Sequence, residues 1–140
     1  MRIASTNPSR CNRKSRRRGA ALVEFAVCLP ILMILILGSM EASNTIFLKQ
    51  SLHASAYEGI RAAVRIKGTS VTANAAAEDV LTARNIKKAK VVFSPASIEN
   101  VARGERITID VQAPVGANSP FIGKVVPDRT LTVRLVMIKE

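Results

Sequence analysis

The hydrophobic pattern changes character twice along the chain. From Ala20 to Met40 apolar residues follow one another almost without interruption, and no charge occurs from Phe25 to Met40. Apolarity on every face is the pattern of a helix surrounded by hydrocarbon, since an amphipathic helix keeps one polar side. At about 1.5 Å per residue the run is about 30 Å long, the thickness of a bilayer core. Residues 41–68 show an interrupted pattern instead. Ile46, Leu48, Leu52, Ala56, Ile60, Ala63 and Val64 recur near three- and four-residue spacings. This predicts an amphipathic helix that continues beyond the membrane and stops at Gly68. Thr69 or Ser70 can cap a shorter helix over Val71–Arg84, with Val71, Ala75, Val80 and Leu81 as its apolar positions.

Beyond Arg84 the period drops to two. Lys90–Ser94 reads as a strand ended by Pro95. Ile107, Ile109 and Val111 alternate with Thr108, Asp110 and Gln112, a half-buried strand. Leu131, Val133, Leu135 and Met137 alternate with Thr132, Arg134, Val136 and Ile138, a last strand that is apolar on both faces near its end. Between them, residues 113–127 hold Pro114, Gly116, Asn118, Pro120, Gly123 and Pro127, the composition of a loop. The fold class is therefore α+β: a long N-terminal transmembrane and amphipathic helix, a short helix, and a small antiparallel three-stranded sheet. Its divisions are 1–19, 20–40, 41–68 and 69–140. A core drawn from about 70 residues is marginal alone. It is expected to pack on the long helix or on partner subunits.

Charge adds a direction. The chain has 140 residues, 21 of them Lys or Arg and 10 Asp or Glu, for a formal charge of +11. Residues 1–18 carry Arg2, Arg10, Arg13, Lys14, Arg16, Arg17 and Arg18 and no acid, and read as a disordered basic arm. Cations before the first span hold that side in the cytoplasm, so the C-terminal part is placed in the periplasm of a single-pass inner-membrane protein. A cleaved secretory signal needs small residues at the −3 and −1 positions. Cuts after Gly38, Ser39 or Ala42 put Ile36, Leu37 or Met40 at −3. A lipoprotein site fails because Cys28 sits deep in the run and follows Val27. Ser15-Arg16-Arg17-Arg18 lacks the Phe of a twin-arginine signal.

Several chemistries recede. One His and two Cys (Cys11 and Cys28) make neither a disulfide scaffold nor a typical zinc site. No phosphate-binding loop, dinucleotide fingerprint or HExxH occurs. No cofactor, metal or catalytic residue is expected, and the chain is read as not an enzyme. Nucleic acid is not an expected partner: the arm lacks interleaved aromatics, and membrane orientation already accounts for its charge.

The informative segment is Arg16-Arg17-Arg18-Gly19-Ala20-Ala21-Leu22-Val23-Glu24-Phe25. Gly19 stands at the junction of arm and apolar run, and Glu24 lies inside the run. A charge at membrane depth costs about 2.5–3.5 kcal/mol, so it marks function by default. Snorkelling at the interface is the plainer reading of Glu24. The sharper one joins the two residues. A peptidase cutting after Gly19 needs an unhindered backbone, which Gly supplies. The cut frees the amine of Ala20, and Glu24 at i+4 lies on the same helix face. Glu24 can neutralise that amine in its own chain or in a neighbour.

These residues resemble the processing site of type IV prepilins and, more specifically, the TadE-like pseudopilins of tight-adherence (Tad/Flp) pilus systems. The matching run is Gly19-Ala20, Val23-Glu24-Phe25-Ala26, Leu29-Pro30, then Gly38 and Glu41. Downstream, Ala54-Ser55-Ala56-Tyr57-Glu58-Gly59-Ile60-Arg61-Ala62-Ala63 resembles the family's Ala-rich stretch, with Tyr57 and Ile60 as departures. The resemblance covers Arg18 to Ala63; the tail matches in style alone.

The resemblance implies a pilin-like fold and a minor pilin. A prepilin peptidase would cut between Gly19 and Ala20, with Glu24 and Phe25 serving assembly. Partners would be a second pseudopilin, the major pilin, the inner-membrane assembly platform and membrane lipid. The runner-up is an unprocessed bitopic envelope protein that works through its extracytoplasmic tail. Pro30 leaves the carbonyl of Ala26 without its helical donor and can kink the helix. That is an ordinary membrane kink or an aid to leaving the bilayer. His53 reads as solvent-facing and Cys28 as packing. Lys87-Lys88-Lys90 is a solvated turn or a contact for an acidic partner. Glu58 and Arg61 are spaced to pair.

Overall fold

The computed structural model describes residues 13–119 and 129–140, with side chains described from Gly19. The expectations for residues 1–12, and for Pro120, Gly123 and Pro127, lie outside those residues. Among the described residues, three helices and three strands follow in the order α1 (Arg13–Val64), α2 (Ser70–Ala83), β1 (Lys90–Ser94), β2 (Arg106–Pro114), α3 (Val115–Asn118) and β3 (Thr130–Ile138). A 3-10 turn at Ile98–Asn100 joins β1 to β2. The fold is α+β, with a small antiparallel sheet of order β1-β2-β3.

Helix α1 begins at Arg13, so residues 13–18 are helical rather than part of a disordered arm. Arg and Lys are good helix formers and here extend a helix already nucleated by the apolar run. Pro30 lies inside α1 without ending it. The helix stops at Val64, short of the expected 68. The left-handed turn residue is Lys67 (φ 65°) and not Gly68. Gly68 is needed for closeness: a Cβ there would lie 2.5 Å from the carbonyl oxygen of Ala62 and 2.7 Å from that of Ala63.

The chain divides into two compact units, residues 1–38 and 39–140. In the first, every described residue from Gly19 to Gly38 is exposed. In the second, a core forms between the helices and the inner face of the sheet. From α1 it takes Leu48, Leu52, Ala56, Ile60, Ala63 and Val64. Ile46, expected in that stripe, is 58% exposed. It is two residues from Leu48, about 200° round the helix, and cannot share its face.

Helix α2 is capped by Thr69, whose hydroxyl accepts from the Thr72 amide in a reciprocal capping box. Its buried positions are Ala73, Ala77 and Leu81, whereas Val71 is 77% exposed and Ala75 also faces out. Leu81 is buried as expected, but the expected face is wrong at Val71 and Ala75. The reason is steric: α2 approaches α1 so closely that alanines must line the contact. A Cβ added to Gly59 would stand 2.9 Å from the Ala77 Cβ and 2.9 Å from the Ile109 Cδ1. Buried Ser55 donates its hydroxyl to the Ala77 carbonyl at 2.8 Å.

On β2, Ile107, Ile109, Val111 and Ala113 are buried and alternate with half-buried polar neighbours, as the period predicts. The strand runs to Pro114, and α3 follows at once, so the start of the expected loop is ordered secondary structure. Val133 of β3 and Phe93 of β1 complete the sheet's buried face, while Val136 and Ile138 are exposed. On the outer face Asp110 accepts two hydrogen bonds from Arg134, at 2.7 and 2.8 Å.

Candidate functional site

Gly19, Ala20, Glu24 and Phe25 all lie within α1 and are exposed. An ideal Cβ at Gly19 meets nothing within 4 Å, nor does one at Gly38. Ala20 and Glu24 are one helical turn apart on one face, so an amine at residue 20 and the Glu24 carboxylate are within reach of each other or of a neighbouring chain. Around them the surface is apolar: Leu22, Val23, Phe25 and Val27 are 59–71% exposed. The segment is long and apolar enough to cross a membrane, with none of its most apolar window buried in the protein and a mean hydropathy there of 2.7. This is compatible with a single-pass membrane protein. Cys28 is exposed on the same helix.

Glu41 lies near the start of the second unit and is buried to 9% exposure. One carboxyl oxygen accepts a short hydrogen bond from the Ser119 hydroxyl, and the other is buried with no partner. One turn further, Asn44 donates to the Asn118 carbonyl at 2.7 Å. Asn118 in turn clamps the turn before β1: its side-chain oxygen accepts from the Lys87 amide at 2.8 Å, and its amide group donates to the Lys87 carbonyl at 3.0 Å. That turn has Asn85 and Lys88 in the left-handed region, at φ 53° and 54°.

Glu58, Gly59 and Arg61 fall at the centre of the second unit. Gly59 is buried where α1, α2 and β2 meet, while Glu58 and Arg61 are exposed. The pairing expected of Glu58 and Arg61 does not form: the ion pair among the described residues is Asp110–Arg134. His53 is exposed, as expected. A shallow groove of about 540 Å³ runs past it along Ile46, Lys49, Gln50, Ala54 and Tyr57. No cluster of three or more His, Cys, Asp or Glu suited to a metal occurs among the described residues.

Sequence reasoning missed three polar anchors. Ser55 and Asn118 have small polar side chains that read as surface or turn residues. Glu99 is the third. Its carboxylate accepts from the Ser70 amide at 2.6 Å and from the Ser70 hydroxyl at 2.7 Å, sealing the start of α2 from 29 residues away. Those bonds hold its carboxyl down to about 2, from the usual 4.5. The Arg134 hydrogen bonds likewise lower the Asp110 carboxyl and raise the guanidinium.

The residues singled out at the N-terminal end and at the α1–α2 contact therefore sit on one helix but in different settings. Glu24 is on an exposed apolar surface, Glu41 is buried beside Ser119, and Gly59 is inside a packed core. Comparisons with curated proteins and with solved structures gave no match. Residues 19–61, the stretch from Gly19 to Arg61 that holds all of these positions, match the TadE-like protein family of the Tad pilus system.

Proposed function

We propose that the protein is a minor pilin, processed by a prepilin peptidase between Gly19 and Ala20, that primes or supports assembly of a Tad/Flp pilus. It acts as a structural component and not as an enzyme. The observation that carries this reading is the placement of Gly19, Glu24 and an uncovered apolar helix within the segment that matches the family. The second pseudopilin, the major pilin and the assembly platform are the partners this role requires. The cytoplasmic N-terminus follows from the charge of residues 1–18.

The geometry adds a condition on processing. The Gly19–Ala20 bond lies inside α1. A peptidase acts on an opened backbone, so the helix must unwind locally before the cut. Gly lowers the cost of that opening by about 1 kcal/mol relative to Ala. After the cut the new amine would sit at a helix N-terminus, where Glu24 offsets it.

The test is the N-terminal sequence and intact mass of the full chain co-expressed with a prepilin peptidase. A terminus at Ala20 that is lost in Gly19→Ala supports the proposal. Glu24→Ala that is cut normally but blocks piliation assigns Glu24 to assembly. An unprocessed Met1 terminus in the wild type overturns the reading, and the bitopic envelope protein takes its place.

A further inference from the structure

We infer that the free edge of strand β3 is a docking site for an extended segment of a partner protein, apolar at alternate positions and acidic between them, which adds to the sheet as a fourth strand. The inference concerns residues 130–138 and does not depend on processing at Gly19. Sheet order β1-β2-β3 leaves β3 at an edge. The phase of the β2–β3 ladder sets which backbone groups are free. The Val115 amide donates to the Arg129 carbonyl at 2.8 Å, and the Lys139 amide to the Glu105 carbonyl at 2.9 Å. Directly opposed residues bond in this way only at every second position. These two pairs bracket the unbroken register that runs from Pro114 and Thr130 to Arg106 and Ile138. Odd-numbered residues of β3 therefore turn their N–H and C=O toward β2. Thr130, Thr132, Arg134, Val136 and Ile138 turn theirs outward, in a row that repeats about every 6.8 Å. That row has no backbone partner among the described residues.

Little in β3 guards that row. Edge strands are kept apart by Pro, bulges, shortness or charge. The opposite edge, β1, has five residues and is followed by Pro95. β3 has nine, with no Pro and an unbroken register, and its one charged side chain, Arg134, is bound to Asp110. Burial thins out there as well. Ile107 and Ile109 of β2 are fully buried, whereas Met137 and Leu135, opposite them on the same face, are half-exposed. Main-chain bonds give an added strand its affinity, and alternate side chains its selectivity. Apolar residues on it would extend the cover over Leu131, Leu135 and Met137. The outer face selects for acid. Lys90, Arg106 and Arg134 lie on it, exposed, against the carboxylate of Asp110. A second copy of β3 fits that charge badly. Full overlap of two antiparallel β3 strands sets Arg134 opposite Arg134, and like charges directly opposed destabilise a pair.

The test is residue-resolved amide hydrogen exchange on the full chain in micelles. The probes are capped synthetic peptides of alternating valine and glutamate, or of alternating valine and lysine. Without peptide the amides of Thr132, Arg134, Val136 and Ile138 should exchange fast, and those of Val133, Leu135 and Met137 slowly. The glutamate peptide should slow the first set by the factor 1 + [peptide]/Kd, about tenfold at ten times Kd, and leave the second set unchanged. The lysine peptide should protect much less. Val136→Pro removes one outward N–H and leaves the ladder to β2 its donors; Thr132→Pro does the same elsewhere in the row. Each should lose the protection while the slow amides report an intact sheet. Outward amides that are slow in the free chain, that slow with protein concentration alone as a second copy would cause, or that ignore millimolar glutamate peptide overturn the proposal. So does protection that survives either Pro in a folded chain. Equal protection by the lysine peptide overturns the acidic partner.

Discussion

Gly59 gives the sharpest test of how the second unit is held together. Replacing it by Ala adds a Cβ 2.9 Å from the Ala77 Cβ and 2.9 Å from the Ile109 Cδ1. Carbon atoms prefer about 3.5–4.0 Å, so each contact is short by about 0.6–1.1 Å. The Ile109 methyl ends a rotatable side chain and can swing away. The Ala77 Cβ is fixed to the backbone of α2 and cannot, so α2 must move as a body. Overpacking of this kind costs about 1–3 kcal/mol. Ala repays about 1 kcal/mol in helix propensity. The expected net loss is about 0–2 kcal/mol for Gly59→Ala, and it grows for Gly59→Leu. Pairing Gly59→Ala with Ala77→Gly removes the fixed half of the clash, so the double variant should be more stable than the sum of the two singles. The assay is amide hydrogen exchange at Ile107–Ala113 in the full-length chain in micelles, where 1.4 kcal/mol reads as a tenfold change in opening. A Gly59→Ala variant that gains stability, as at an open helix site, would refute the close approach of α2 to α1.

Other consequences are open to measurement. Ser55→Ala removes a buried hydroxyl that donates to the Ala77 carbonyl, and should cost about 0.5–1.5 kcal/mol in the same exchange experiment. Ser119→Ala takes away the donor to Glu41 and should cost about 1–3 kcal/mol, since a carboxyl with one oxygen already buried and unpartnered then loses that donor; denaturant unfolding in micelles reads this. Glu99 is held down to about 2 when folded, against the usual 4.5. Its folded value is depressed, so its contribution is present above pH 4.5 and is lost as pH falls from about 4.5 toward 2. Carboxyl NMR should give a midpoint near 2 that moves up in Ser70→Ala, and an unperturbed midpoint would remove Glu99 as the anchor of α2.

Part of this architecture was legible in the residues. Leu48, Leu52, Ala56 and Ile60 repeat at the spacing of a helix face, and Ile107, Ile109 and Val111 at that of a strand. Their burial follows from that alone. The contact between α1 and α2 was not legible, because it uses residues with weak or misleading hydropathy. Ala73 and Ala77 look like neutral helix formers, and Val71 looks like the better core residue. Only the lack of space beside Gly59 reverses that order. The Gly in the family-matching stretch is thus required for packing, a role that its place in a sequence motif does not disclose. Ser51 and Ser55 are fully buried because each hydroxyl has a carbonyl to satisfy it, Phe47 for the first and Ala77 for the second. The first bond is local to α1; the second depends on the tertiary approach of α2. Glu24 and Gly19 differ from these: they stand out in the sequence alone, as a charge inside an apolar run and a Gly at its start.

The order in which the core closes carries a consequence for how the chain matures. The α1–α2 contact joins Gly59 to Ala77, neighbours in the chain. Ile109 of β2, which meets the same Gly59 position, is made much later. Until the strands are in place, Leu48, Leu52 and Ile60 lack the sheet that completes their core. A helical hairpin should therefore form first and wait for the sheet. During that wait its sticky side is available to chaperones or to another nascent copy. A chain truncated before β2 should keep that hairpin uncovered and aggregate through it.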